Sequence, residues 1–251
     1  MTQFQTNHAP SLAGKSALVF GGSRGIGAAI AKRLAEDGAD VALTYVSAPD
    51  HAAATVRDIV ALGRAGVAIQ ADSASADDLG RAVAQAVDRF GKLDIAVVNA
   101  GILRLGPVDT FSVEDLDLML SVNVRGVFLA IQAAVARMGP GGRVVTIGSN
   151  TAVNNRYAGS SVYTMTKAAV AAMVKGVALD VAARGITVNN VQPGPTLTDM
   201  TRDHVEHILP AIPVKRVGSP EEIAGVVSYL ARAESGYMTG ASLTIDGGMT
   251  L

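Results

Sequence analysis

Seven short runs rich in β-forming and small apolar residues recur along this chain, and longer stretches of helical character separate them. That alternation restricts the fold more than any other feature of the sequence. The runs are Ser16 to Phe20, Val41 to Val46, Val67 to Gln70, Asp94 to Val98, Arg143 to Ile147, Thr187 to Val191 and Ser242 to Ile245. Helices are expected near 25–37, 51–62, 76–90, 113–120, 122–138, 161–183 and 220–231. A strand–helix–strand rhythm predicts an α/β chain whose strands run parallel, with helices covering both faces. Gly63, Gly91 and Gly185 each follow a helical pattern, as C-terminal helix caps do. Ser219-Pro220-Glu221-Glu222 reads as a helix start, with Ser as cap, Pro at the first helical position and acids in the first turn.

The length of 251 residues suits one domain. Hydrophobic residues make up 49% and charged residues 17%, enough apolar material for a sizeable core. Aromatics are scarce at 4%, with no Trp, so the core must be built from Ala, Val, Leu and Ile, as buried parallel strands and close-packed helices require. The formal net charge of −1 and the lack of a basic block argue against a nucleic-acid partner. The chain has no Cys, which removes disulfides and thiolate chemistry. Its four His are His8, His51, His204 and His207, and no array of further ligands suggests a metal site. The first residues are polar and read as a disordered leader over 1–11, followed by one domain over 12–251. They lack the basic start and apolar stretch of a signal peptide. The apolar stretch from Gly126 to Ala136 is too short to span a bilayer. A cytoplasmic protein with no membrane association is expected.

Gly21-Gly22-Ser23-Arg24-Gly25-Ile26-Gly27 falls between the first strand and the first helix. An open α/β sheet binds a dinucleotide pyrophosphate at that junction, against the helix N-terminus. The glycines permit a tight turn and a close approach of backbone to phosphate. Tyr163 and Lys167 stand four residues apart in a helical run, which places a phenol and an ammonium on one face. A nearby cation favours the phenolate and would lower the tyrosine pKa from its usual value of about 10. The pair is a candidate general acid/base, and Ser149, which ends the fifth strand, could hold a substrate oxygen.

These residues carry a family likeness. The chain resembles the short-chain dehydrogenase/reductases from Gly14 to Gly248. The glycine spacing matches that family, with Phe20 where Thr is usual. Val98-Asn99-Ala100-Gly101 resembles the family's Asn-Asn-Ala-Gly motif, with Val98 replacing the first Asn. Asn123 matches the helix Asn, Ser149 the catalytic Ser, and Tyr163 and Lys167 the Tyr-x-x-x-Lys pair. Pro193-Gly194 followed by Thr198 matches the nicotinamide segment, and Thr244 to Gly248 the C-terminal signature.

The resemblance implies a single-domain Rossmann fold with a doubly wound parallel seven-stranded sheet. It also implies an NADP(H)-dependent enzyme that reduces a ketone or β-keto ester to an alcohol, reversibly. No acid occupies Leu43-Thr44-Tyr45-Val46-Ser47, where an NAD enzyme would hold its ribose hydroxyls, and Arg24 could face a 2′-phosphate. Tyr45 and Ser47 would line that ribose. Asp72 and Ser73 resemble the adenine-contacting pair, although Asp72 could instead cap the next helix. Tyr163 would donate the proton, Ser149 would hold the carbonyl oxygen, and Lys167 would tune Tyr163 and bind the nicotinamide ribose. Asn123 would hold a water that links Lys167 to solvent. Thr196 and Thr198 would contact the carboxamide, unless Thr198 caps the following helix. The proline-rich stretch at about 195–217 reads as a lid over a mainly apolar pocket. A homotetramer is implied by the family. The likeness extends to 3-oxoacyl-carrier-protein reductases and to a subgroup of cyclic-di-GMP-binding biofilm dispersal proteins, so the alternatives are a cyclic-dinucleotide-binding regulator on the same fold or a 3-oxoacyl-carrier-protein reductase.

Overall fold

The structure is a computed structural model and describes residues 11–199, 201–202 and 205–251. Nearly all of the expected leader, together with Met200 of the expected lid and His204, lies outside these residues. Seven parallel strands form one sheet in the order β3-β2-β1-β4-β5-β6-β7. They are β1 Ser16–Phe20, β2 Asp40–Tyr45, β3 Gly66–Gln70, β4 Ile95–Val98, β5 Arg143–Ile147, β6 Thr187–Pro193 and β7 Ser242–Ile245. Central β1 is buried along its whole length, and Leu18 sits between Ala42 of β2 and Ala96 of β4. Such strands cannot alternate apolar and polar residues, because both faces are covered.

The helices are α1 Gly25–Glu36, α2 Pro49–Ala61, α3 Ala76–Phe90, α4 Val113–Leu120, α5 Val127–Val135, α6 Ser161–Ala182, α7 Val205–Ile208 and α8 Pro220–Ala231. Helices α1, α2 and α8 cover one face through Ile30, Leu34, Ile59, Ile223, Val227 and Leu230. Helices α3, α5 and α6 cover the other through Leu79, Ala82, Ile131, Val174 and Ala178. The expected caps are present. Ser219 and Glu222 form a capping box on α8, and Gly91 ends α3 with φ of 79°.

Three features depart from the expected pattern. Strand β6 continues to Pro193, which pairs with Ile245. The irregular stretch after it contains the short α7, and its ends are joined by a bridge between Thr196 and Gly218. The two helical stretches expected after β4 are one helix, Val113–Val135, in which α4 and α5 are joined by a π-helical turn over Ser121–Gly126. This helix is 23 residues long with a mean hydropathy of 1.7 over an 18-residue window, long and apolar enough by composition to cross a membrane, whereas the longest apolar stretch expected was Gly126 to Ala136. Here Met119, Val127, Ala130, Ile131 and Ala134 are buried in the protein.

The chain order reverses between β1 and β4. In a doubly wound sheet, the crevice beyond the carboxyl ends of two such strands is the ligand site. The loops after β1, β4, β5 and β6 carry most of the residues singled out above.

Candidate active site at the carboxyl edge of the sheet

The glycine loop is held by three hydrogen bonds, two to Thr44 and one from Asn99. Gly21 N–H donates to Thr44 Oγ1 (2.9 Å), Gly22 N–H to the Thr44 carbonyl (3.0 Å), and Asn99 Nδ2 to the Gly21 carbonyl (2.7 Å). Phe20 brings no hydroxyl where the family has Thr, and it lies wholly in the core. Its carbonyl instead receives the N–H groups of Asn99 and Ala100 at 3.1 and 2.9 Å. The hydroxyl that supports the loop comes from Thr44 on the neighbouring strand, which the sequence did not single out. Gly27 cannot be replaced without movement, because a Cβ there would lie 2.1 Å from the Gly21 carbonyl oxygen and 2.6 Å from Asn99 Nδ2.

Helix α1 begins at Gly25, with Arg24 as an uncapping N-cap residue and no acid in its first turn. By contrast, α3, α4 and α8 each begin with a Ser cap and two acids. The first N–H groups of α1, at the positive end of its dipole, therefore have no side-chain acceptor and suit an anionic diphosphate. Ser23 and Ile26 complete the loop, partly buried. Tyr45 is partly buried and Ser47 exposed at the end of β2, with no carboxylate between them. Asp50 belongs to the first turn of α2. Arg24 is exposed and makes no ion pair among the described residues. Asp72 does not cap α3, since Ser75 does; its carboxylate accepts from Ala74 N–H (2.9 Å). Ser73 beside it is buried.

Ser149 stands two residues past β5 and is buried, its Oγ accepting from Thr151 N–H (3.2 Å) and Thr151 Oγ1 (3.0 Å). Tyr163 and Lys167 stand one turn apart near the start of α6. The Lys167 ammonium lies over the Tyr163 ring, 5.7 Å from its centroid, and donates to the Ile147 carbonyl (3.0 Å). The electrostatics run opposite to the sequence expectation. Burial raises the Tyr163 pKa above its usual 10, with the Ser149 hydroxyl opposing it. Burial instead lowers Lys167 from 10.5 to about 8. Lys167 is buried and Tyr163 partly buried, and loss of water disfavours the charged form of each. The ammonium faces the ring and a carbonyl, and it is the lysine that is brought towards neutrality.

Asn123 is fully buried within the π turn. Its Oδ1 accepts from Ile102 N–H (2.9 Å), while its Nδ2 donates to the Ile102 carbonyl (2.8 Å) and to Thr166 Oγ1 (3.3 Å). The carboxamide thus braces the loop after β4 against α6. Gly101 closes the gap, since a Cβ there would lie 3.4 Å from both Asn123 Oδ1 and Lys167 Nζ. Pro193 ends β6, and Gly194 N–H donates to the Ile245 carbonyl (2.9 Å). Thr196 is buried, its Oγ1 donating to the Gly194 carbonyl (3.0 Å). A Cβ on Gly25 would meet the Thr198 methyl at 3.4 Å, so this segment borders the glycine loop. Thr201 Oγ1 closes the turn that begins at Thr198 by accepting from Thr198 N–H (3.1 Å). Among the described residues, no group of His, Asp and Glu could hold a metal ion.

The glycine loop, Asn99 to Gly101, Ser149, the α6 pair and Pro193 to Thr198 therefore meet along one edge of the sheet. A family model described as Enoyl-(Acyl carrier protein) reductase matches residues 21–250. A solved short-chain dehydrogenase/reductase from Serratia marcescens superposes with a TM-score of 0.94 at 50% identity, covering 96% of this chain and 100% of that one. This chain belongs to the short-chain dehydrogenase/reductase family. Another member, a short-chain dehydrogenase from Burkholderia cenocepacia solved in complex with NADP, gives a TM-score of 0.94 at 47% identity, covering 96% and 100%. The Cyclic-di-GMP-binding biofilm dispersal mediator protein of Escherichia coli is 42% identical over 240 residues, 93% of this chain and 96% of that protein.

Proposed function

We propose that the protein is an NADPH-dependent carbonyl reductase acting on apolar ketones or β-keto esters, and on the matching alcohols in reverse. The observation that carries this reading is the meeting of Ser149, Tyr163 and Lys167 beside an uncapped helix N-terminus that suits a diphosphate. NADP(H) is favoured over NAD by the absence of a carboxylate after β2 and by exposed Arg24, and the Burkholderia cenocepacia relative carries NADP. The residues that would hold it are Gly21, Ser23 to Gly27, Tyr45, Ser47, Asp72, Ser73, Asn99 to Gly101, Tyr163, Lys167, Pro193, Gly194, Thr196 and Thr198.

The bound dinucleotide supplies the hydride. The chain supplies the proton and the oxygen site. The Ser149 hydroxyl donates a hydrogen bond to the carbonyl oxygen, and Tyr163 Oη transfers its proton to that oxygen as charge develops there. A raised Tyr163 pKa keeps the phenol protonated until then. Lys167, with a pKa of about 8, exchanges protons near neutrality and restores the phenol. Exposed Leu105, Val153, Tyr157, Leu197 and Val214 on the loops nearby supply an apolar rim, which favours an apolar substrate. Residues 195–217 act as the lid. Exposed Phe128, Met165 and Leu179 on α5 and α6 suit the contacts of a homotetramer.

NADPH oxidation with a panel of ketones, run in parallel with NADH, tests the reading. Tyr163→Phe should lower turnover by about 10²- to 10⁴-fold while NADP⁺ still binds. Retained turnover in that variant would overturn it. The Escherichia coli relative favours one second reading, a cyclic-dinucleotide binder. Tight cyclic-di-GMP binding with no turnover on any ketone would establish that reading instead.

A further inference from the structure

The π turn over Ser121–Gly126 touches two separate parts of the cleft. At its C-terminal end it presses against the loop after β3. A Cβ on Gly126 would lie 2.2 Å from the Ser73 carbonyl oxygen, so only glycine permits the approach. Next to it, Arg125 Nη1 donates to the Ala74 carbonyl (2.9 Å). At its middle, Asn123 reaches the other way, through Nδ2 to Thr166 Oγ1 (3.3 Å), and Thr166 Oγ1 donates to the Tyr163 carbonyl (2.7 Å). Thr166 and Asn123 are both fully buried. A π turn inserts one residue, and omitting it would rotate the positions on its two sides by about 100° relative to each other.

We propose that this turn is a strut between the wall of the adenosine pocket, Ser73 and Ala74, and the helix that carries Tyr163 and Lys167. Arg125, Gly126 and Thr166 are its positioning residues. The inference rests on the reading of Ser73 as part of the adenosine site, and it goes beyond that reading by linking the two ends. Occupation of the adenosine end fixes the loop after β3, the loop fixes the turn, and the turn fixes α6. Coupling of this kind travels through contiguous packed groups and hydrogen bonds, and the double contact of Asn123 with Ile102 ties the turn to the loop after β4 as well.

The test uses the full chain and two mild substitutions, Arg125→Ala and Thr166→Val, each first checked for an unchanged circular dichroism spectrum. Calorimetry measures the affinity for 2′,5′-ADP, which carries the adenosine end and no nicotinamide. Stopped flow measures the single-turnover rate at saturating NADPH with a ketone found in the screen. Thr166→Val should weaken 2′,5′-ADP by about three- to tenfold, and Arg125→Ala should slow the single turnover by a similar factor. The double variant should lose less than the product of the two. If Arg125→Ala changes only the affinity, Thr166→Val only the rate, and the two effects multiply, there is no strut. If the unmodified protein does not bind 2′,5′-ADP, the adenosine pocket itself is misassigned and the strut falls with it. If 2′,5′-ADP binds but no ketone turns over, the reductase reading fails alone, and an unchanged 2′,5′-ADP affinity in Thr166→Val is then the result that overturns the strut.

Discussion

Replacing Lys167 by Met should abolish reductase activity and yet make the protein more stable at neutral pH. Burial lowers the Lys167 pKa from 10.5 to about 8, so the folded state holds the ammonium less favourably than the unfolded state does. At about 1.4 kcal/mol per tenfold, the folded protein is penalised by roughly 3 kcal/mol at pH 7. The folded group titrates below the unfolded one, so the penalty is complete below about pH 8 and fades as the pH rises towards 10.5. At pH 9.5 it should have fallen to about 1.4 kcal/mol. Methionine removes the charge but leaves the Ile147 carbonyl without its 3.0 Å donor, at a cost of about 1–2 kcal/mol. The balance at pH 7 is therefore a gain of about 1–2 kcal/mol, which for a chain of this size raises Tm by about 3–6 °C. Calorimetric Tm values for both proteins should be compared without nucleotide, at one protein concentration, from pH 7 to pH 9.5. The gap should be positive at pH 7 and close to zero at pH 9.5. A variant less stable at pH 7, with a gap that does not change with pH, would refute the account of a penalised buried ammonium.

Three further substitutions probe other parts of the structure. Gly27→Ala places a Cβ against the Gly21 carbonyl and Asn99; it should cost about 1–3 kcal/mol of stability and weaken NADP⁺ at least tenfold by calorimetry. Arg24→Ala should raise the Kd for NADPH by about ten- to a hundredfold and leave that for NADH within about twofold, because a charge-assisted hydrogen bond contributes about 1.5–3 kcal/mol; equal losses for both would remove Arg24 from the 2′-phosphate. Ser219→Ala breaks the capping box on α8 and should lower Tm by about 2–4 °C, a loss of about 1 kcal/mol.

The strands and most helices could be read from the sequence because burial on both faces leaves continuous apolar runs such as Ala17 to Phe20, and because caps such as Ser219 to Glu222 are local signals. The site residues were readable as side chains with characteristic spacing. The missing parts share a different character. The Ile147 carbonyl that receives the Lys167 ammonium is a backbone group, which no residue type announces. Thr44 supports the glycine loop from a neighbouring strand, a relation that exists only after β1 and β2 pair. The π turn depends on Asn123 finding Ile102 and on Gly126 meeting Ser73, both contacts between distant segments. The direction of the Tyr163 and Lys167 shifts depends on what surrounds the pair, and spacing along a helix says nothing about dryness.

The bridge between Thr196 and Gly218 has a consequence for how such a protein can change over generations. Leu197 N–H donates to the Gly218 carbonyl, and Gly218 N–H to the Pro195 carbonyl, both at 2.9 Å, so the chain leaves and rejoins the domain at almost one point. An excursion clamped at its base behaves like a cassette. Doubling its length would cost only about 0.6 kcal/mol in closure entropy. Insertions and deletions between Thr198, whose methyl borders Gly25, and Ile212, which is buried, can therefore be sampled without disturbing the sheet, the glycine loop or Tyr163. The clamp separates what must be kept for proton transfer from what is free to vary for the sake of a new substrate.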